Sequence, residues 1–327
     1  MRKKFLCFFA AAALLLSTGT AAFAEKLVPG GSAVGIRMTT DGVVIAELLT
    51  LELNGKSVSP AADAGLKKGD VITKLNGHEV HSSEDFLSAV AKLDGGPAQI
   101  TVLRGHKEKQ LTVQPAVCED GAKLGIALRG GICGVGTLTF YDPETGLYGA
   151  LGHSISDADT GTVLPLGDGT VYKAEIVSID KGRVGAPGAL NGRSDEVKSL
   201  GDIRLNCGCG IFGAGDFDGE PIETGALAPG KATILCTLGD DGVKEYEITV
   251  KKVFDGGGYE AALLTVTDPE LLALTGGIVQ GMSGSPILQD GKLVGAVTHV
   301  FVNDPASGYG ISIGDMLRTE QSLEKAA

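Results

Sequence analysis

One stretch combines residue types that suit acyl transfer: Gly281-Met282-Ser283-Gly284-Ser285-Pro286. A serine between glycines sits in a tight bend, where its hydroxyl stands clear and backbone N–H groups of the same turn point at one spot. That is what a nucleophile with its own oxyanion hole requires. Ser283 is the nucleophile candidate, with the N–H groups of Gly281 and Ser283 as oxyanion donors. The pattern departs from the G-x-S-x-G elbow, because Ser285 stands where the second glycine belongs. A base is needed as well. His153 closes the apolar run Leu147-Tyr148-Gly149-Ala150-Leu151-Gly152 and precedes a polar stretch, so a strand end holds it. Histidine titrates near neutrality and can take and return a proton. Its rival is His299, on the strand after the serine loop. Candidate acids are Asp157, Asp159, Asp180, Asp202, Asp268 and Asp304, and periodicity does not choose among them.

These residues need rigid elements to position them. The chain has 327 residues and 50 glycines, a share about twice the usual ~7%. With few helix-length patterns, that predicts turn-rich β structure. Short apolar runs separated by turn signals continue from Leu124 to Val302, as expected of a barrel or a pair of barrels. Only Asp268 to Leu274 and Ile313 to Glu324 read as helical there.

The N-terminus reads as a targeting segment. Arg2-Lys3-Lys4 precede the uncharged run Phe5 to Leu16, and Ala22-Phe23-Ala24 fits a small-x-small cleavage site. Residues 1–24 are read as a signal peptide or a retained N-terminal anchor, and the chain as exported. Without them, 25 basic residues face 40 acidic ones, a net charge of −15. Such acidity argues against nucleic acid or anionic lipid as partner. Cys118, Cys133, Cys207, Cys209 and Cys236 remain in the mature chain. Cys207-Gly208-Cys209 is too tight for a zinc knuckle and has no histidine nearby in sequence, so free thiols are expected and no metal or other cofactor.

A second motif lies upstream. Ser59-Pro60-Ala61-Ala62-Asp63-Ala64-Gly65-Leu66-Lys67-Lys68-Gly69-Asp70-Val71-Ile72 leads to an Asn76-Gly77 hairpin signal, and Ser82 caps a helix with Phe86, Leu87, Val90 and Leu93 on its apolar face. His78, His81 and His106 fall in turns or at a helix start and read as solvated. This region, residues 28–116, resembles a bacterial PDZ domain. PDZ domains add an extended peptide, often a C-terminus, as a strand to a sheet edge. The resemblance implies Val34, Gly35 and Ile36 as the binding edge and Phe86 to Val90 as the other wall.

Residues 117–327 resemble a chymotrypsin-like β-barrel peptidase domain. The expected fold is therefore mainly β, a small α/β PDZ domain followed by that barrel domain. Further runs narrow the resemblance: Gly276 to Pro286, Gly291 to Pro305, Thr137 to Pro143, Tyr148 to His153 and Pro29-Gly30-Gly31. Together they are similar to the stage IV sporulation protein B serine peptidase family. That resemblance implies Ser283 as nucleophile, His153 as base and Asp268 as acid, with Thr298 and His299 at the specificity pocket. Asp268 lies 15 residues before Ser283, whereas the chymotrypsin-like layout puts its acid in the first barrel. Met282 replaces the aspartate that pairs with a freed N-terminus in many zymogens.

The resemblance further implies limited proteolysis of a membrane-associated regulatory protein in the intermembrane space of a developing spore. It also implies self-cleavage, with a peptide C-terminus or the chain's own N-terminal region at the PDZ domain. Two other readings are an inactive PDZ scaffold, against which the intact serine and histidine argue, and an HtrA-type quality-control peptidase, in which the PDZ domain follows the protease.

Overall fold

A computed structural model describes residues 25–325 apart from 54, 106, 119, 120, 130 and 159. The targeting segment, His106 and Asp159 thus lie outside the described residues. Among those described, no helix is long and apolar enough to cross a membrane. The fold is mainly β and contains three principal sheets.

The first is a nine-stranded antiparallel sheet. Its spine is the long strand Ile132–Asp142, which pairs with Ala33–Thr40 through one half and with Leu147–Ala150 through the other. Leu166–Asp180 and Ala189–Asp202 extend it on one side, and Gly210–Ala214 and Leu205–Cys207 on the other. The third sheet is a closed barrel of Gly230–Thr237, Val243–Asp255, Glu260–Val266, Asp304–Ser312, Lys292–Phe301 and Pro286–Gln289. Its inward residues Ile234, Ile248, Leu264, Ile287 and Val297 are fully or nearly fully buried and form one core with Met282. Both helices expected here are present, as Pro269–Thr275 and Ile313–Glu324.

The PDZ fold occupies the middle sheet, ordered Ile126–Arg129, Val43–Leu48, Val71–Leu75, Ala98–Arg104 and Lys107–Val113. Its helix Ser83–Val90 is capped by Ser82, whose side chain accepts from Asp85 N at 3.1 Å. Phe86 from that helix joins Ile45, Ile72, Leu75, Ile100 and Leu124 in a separate core.

The boundaries expected from sequence are corrected here. Ala33–Thr40 does not belong to the PDZ sheet. It is hydrogen-bonded on one edge to Ile132–Thr137 and on the other to Leu166–Lys173. Val34 and Ile36 pack with Leu138, Tyr148, Leu151 and Val171 in the core of the first sheet. A Cβ at Gly35 would fall 1.9 Å from Ser194 Oγ. With both edges paired and both neighbours buried, Val34, Gly35 and Ile36 offer no edge to a peptide. The PDZ domain is an insertion between two strands that are hydrogen-bonded neighbours, with Met38 opposite Ile132. Its edge strand is the returning segment Ile126–Arg129, assigned from sequence to the peptidase domain, which pairs antiparallel with Val43–Leu48.

Contacts among the described residues tie the insert to the unit that carries it, two of them buried. Val44 and Val71 share a buried cluster with Met38 and Leu164. Arg129 donates from Nη1 to the buried Asp157 Oδ2 at 2.9 Å. The insertion topology makes a prediction about fragments. A piece spanning 41–131 is expected to melt cooperatively, whereas 28–116, which lacks Ile126–Arg129, is expected to lack a cooperative transition by circular dichroism. Cooperative melting of the second alone would contradict this arrangement.

Candidate active site

The helix Pro269–Thr275 ends on Gly276 at φ 78°, and the chain then runs through Ile278 and Val279 into the serine turn. Both flanking glycines are in the left-handed region, Gly281 at φ 96° and Gly284 at φ 95°. Gly284 also lies against backbone, since a Cβ there would be 2.1 Å from the Thr137 carbonyl oxygen. Met282 is fully buried, and Ser285 is buried with a hydroxyl that has no hydrogen-bond partner. Ser283 is thereby left as the serine of the turn that reaches the surface.

The turn is fastened to both β units. Thr137 N donates to Ser283 O at 3.0 Å, and Thr137 Oγ1 to Gly281 O at 2.8 Å. Thr139 Oγ1 donates to Gly284 O at 2.8 Å. From the other side, Gly284 N donates to Val297 O at 2.7 Å. The Met282, Gly284 and Ser285 N–H groups are all spent inside this scaffold, while Gly281 N and Ser283 N have no backbone partner among the described residues.

His153 is delivered by an unusual backbone. After the strand Leu147–Ala150, Leu151 takes φ 69° and Gly152 φ 68°. A left-handed leucine costs roughly 1–2 kcal/mol and is the kind of strain found at functional sites. The bend presses Gly152 against the barrel strand Lys292–Phe301, where a Cβ would be 3.1 Å from Thr298 Cγ2. Ser283 Oγ donates to the carbonyl of the same Thr298 at 2.7 Å. Ser283 and His153 therefore meet neighbouring residues of one barrel strand, Thr298 and His299, although the structure shows no hydrogen bond between them. His153 instead lies beside His299, with ring centroids 4.6 Å apart and planes tilted by 35°.

The Nδ1 of His153 is 2.9 Å from the Ser154 carbonyl. A carbonyl only accepts, so Nδ1 carries the proton and the Nε2 lone pair is available. Burial holds the His153 pKa below its usual value, partly offset by that carbonyl. His299 is pushed down to about 4 by burial and by the neighbouring His153. An exposed edge of His299 lets solvent moderate that displacement. Both rings are neutral at pH 7.

Asp268 is not in this site. It is the N-cap of the helix Pro269–Thr275: Oδ1 accepts from Glu270 N and Leu271 N, both at 2.9 Å, and Oδ2 accepts from Glu247 N at 3.2 Å. Ala261, five positions before the end of the strand Glu260–Val266, lines the cavity of about 150 Å³ that also contains His153, Thr298 and His299. At about 3.4 Å per residue, those five positions set Asp268 beyond the far end of a strand segment of roughly 17 Å. Asp157 is likewise committed, to Arg129 and to Thr160 N and Oγ1. The group holding the imidazole is a backbone carbonyl, a role that sequence patterns do not reveal. Sequence reading also missed Phe254, Tyr259 and Tyr309, which wall the same cavity.

Two substitutions test these placements. Asp268→Ala is expected to cost about 1 kcal/mol of stability as a lost helix cap. In the folded protein it should leave the reactivity of Ser283 toward a fluorophosphonate unchanged. A loss of that reactivity at full folding would return Asp268 to the site. Gly284→Ala combines a left-handed φ with a backbone clash and is expected to cost about 3 kcal/mol or more in denaturant unfolding.

Comparison with known proteins finds the same two kinds of domain in the same order. The model of the SpoIVB peptidase S55 family matches residues 120–317, and that of the PDZ domain matches residues 33–114. The latter begins on the strand that the structure gives to the first sheet. A putative zinc metalloprotease of Clostridium perfringens is 35% identical over 63 residues, 19% of this chain and 19% of that protein. A probable periplasmic serine endoprotease, DegP-like, of Rhizobium meliloti is 38% identical over 87 residues, 24% of this chain and 17% of that protein. The chain thus spans less than a fifth of either relative. Among solved structures, the PDZ domain of an SdrC-like protein from Listeria monocytogenes is 30% identical, covering 28% of this chain and 90% of its own, with a TM-score of 0.23. The active form of a protease from M. tuberculosis is 13% identical, covering 58% of this chain and 74% of its own, with a TM-score of 0.33. The family match extends over more than half of the chain and contains both His153 and Ser283: this protein belongs to the SpoIVB peptidase S55 family.

Proposed function

We propose that the chain is a serine endopeptidase in which Ser283 is the nucleophile and His153 the general base. The observation that carries this reading is the approach of the two residues, from different β units, to adjacent positions of one barrel strand, Ser283 at Thr298 and His153 at His299. In the described state Ser283 Oγ is turned onto the Thr298 carbonyl. The reading requires that rotation about its Cα–Cβ bond bring Oγ within hydrogen-bond reach of His153 Nε2. Oγ then attacks the peptide carbonyl while Nε2 takes its proton, later returned to the leaving amine. The Gly281 and Ser283 N–H groups receive the oxyanion, where one donor is worth roughly 10²–10³ in rate. The Ser154 carbonyl keeps the imidazole in the productive tautomer and stabilises the imidazolium less than a carboxylate does. A modest turnover follows, suited to limited cleavage.

The finer role follows the family. It is regulated proteolysis in sporulation signalling by an exported protein, acting on a membrane-associated regulatory protein and on its own N-terminal region. The PDZ insert recruits the target at the edge strand Ile126–Arg129, the end strand of its sheet. Ile126, Leu128 and Val90 pack on one core there, and Leu87 of the facing helix is exposed. Arg129 at the end of that strand is paired with Asp157, four residues after His153, so an added peptide strand and the base are mechanically adjacent.

Fluorophosphonate labelling of the purified chain tests the catalytic reading. Ser283→Ala is expected to abolish labelling, and His153→Ala to slow it by roughly 10³ or more. Because the pKa of His153 is depressed, the base stays neutral below the usual histidine value of about 6.5. The midpoint of the fall in labelling rate on acidification is therefore expected to lie below pH 6.5. Labelling of another serine, or a rate indifferent to His153, would defeat the assignment.

A further inference from the structure

The Cys207-Gly208-Cys209 motif has no part in the mechanism above, yet it stands beside it. Leu205–Cys207 and Gly210–Ala214 form a hairpin, with Cys207 opposite Gly210 and Gly208 and Cys209 at its tip. The second strand of that hairpin is hydrogen-bonded to Leu147–Ala150, the strand that delivers His153. The contact is close, because a Cβ on Gly210 would be 2.5 Å from Ala150 O and 3.4 Å from Gly152 N. Gly208 itself lines the cavity that contains His153 and His299. The two thiols are part-buried, separated by one residue at the hairpin tip, and packed against Met316 and its neighbours.

We propose that Cys207 and Cys209 are a reversible dithiol–disulfide site that a disulfide oxidant closes, and that closure reshapes the wall beside His153. The step balances as thiol–disulfide exchange. The Cys209 thiolate attacks a small-molecule disulfide, forms a mixed disulfide and expels one thiolate. Cys207 then loses its proton and attacks the Cys209 sulfur, expelling the second thiolate. Two protein thiols are oxidised to one disulfide, and the oxidant is reduced to two thiols.

The environment favours Cys209 as the attacking sulfur. Its pKa is lowered to about 6 chiefly by the neighbouring Cys207, against burial, with Thr319 also contributing and Asp315 opposing, while that of Cys207 is raised by its neighbour Cys209 and by burial. A disulfide across a single intervening residue is strained and therefore readily reduced, as a regulatory bond must be. Closing it tightens the Gly208 turn. That turn is backbone in the cavity wall, so the change reaches His153 without a side chain to absorb it.

The test treats the purified chain with oxidised glutathione at pH 7 and maps alkylatable thiols by mass spectrometry. Cys207 and Cys209 are expected to become protected together, as a peptide lacking two hydrogens, and to return with reductant. Cys207→Ser is expected to trap glutathione on Cys209, and Cys209→Ser to leave Cys207 largely alkylatable. Fluorophosphonate labelling of Ser283 is expected to be lost on oxidation, restored on reduction, and insensitive to oxidant in the double Cys→Ser variant. Persistent alkylation of both cysteines, or pairing of either with Cys118 or Cys133, would overturn the site. A disulfide that forms with unchanged labelling would overturn its connection to His153. The thiol map stands whether or not Ser283 reacts, so failure of the peptidase reading is seen separately.

Discussion

The hydrogen bonds that strap the serine turn between two β units are the constraint on which the rest depends. Thr137 and Thr139 hold three carbonyls of the turn from the first sheet, and Val297 accepts its Gly284 N–H from the closed barrel. These bonds fix the path of the backbone from Gly281 to Ser285, and each is partly shielded from water by the cores on either side. The geometry admits glycine alone at 284, because the strap passes where a Cβ would lie. Sheet and barrel are thus docked by the same contacts that orient Ser283.

The histidine follows from that docking. A left-handed bend at Leu151 and Gly152 carries His153 onto the barrel strand that also receives the Ser283 hydroxyl. Its second nitrogen rests on the Ser154 carbonyl, so the imidazole is oriented without a buried carboxylate. The arrangement avoids the desolvation cost of a buried charge. Arg129 of the PDZ edge strand is paired with Asp157, four residues further along the chain from this histidine.

Much of this was legible in the sequence, and the failures have physical reasons. Gly-x-Ser-Gly requires a bend whatever surrounds it, and a histidine closing an apolar strand belongs at a barrel rim; both signals are local. Asp268 also carried a local signal, since Thr267-Asp268-Pro269 reads as an N-cap with proline at the first helical position, and the structure uses it so. Family order suggested an acid there, and the cap chemistry prevailed. Val34-Gly35-Ile36 failed for a different reason. A strand buried on both faces and a peptide-binding edge share the same apolar letters, and only long-range pairing separates them. The insertion was hidden because Met38 and Ile132, neighbours in space, are separated by the whole PDZ domain. The Ser154 carbonyl had no sequence signal at all, because every residue carries one.

The most direct test is a ¹⁵N NMR titration of the His153 imidazole, before and after Ser283 is phosphonylated. A neutral ring at pH 7 with the proton on Nδ1, titrating below the usual histidine value, is expected. The pKa is expected to rise once a phosphonyl oxygen on Ser283 accepts from the protonated Nε2. A ring carrying its proton on Nε2, or a titration that ignores the modification of Ser283, would contradict the pairing of these two residues.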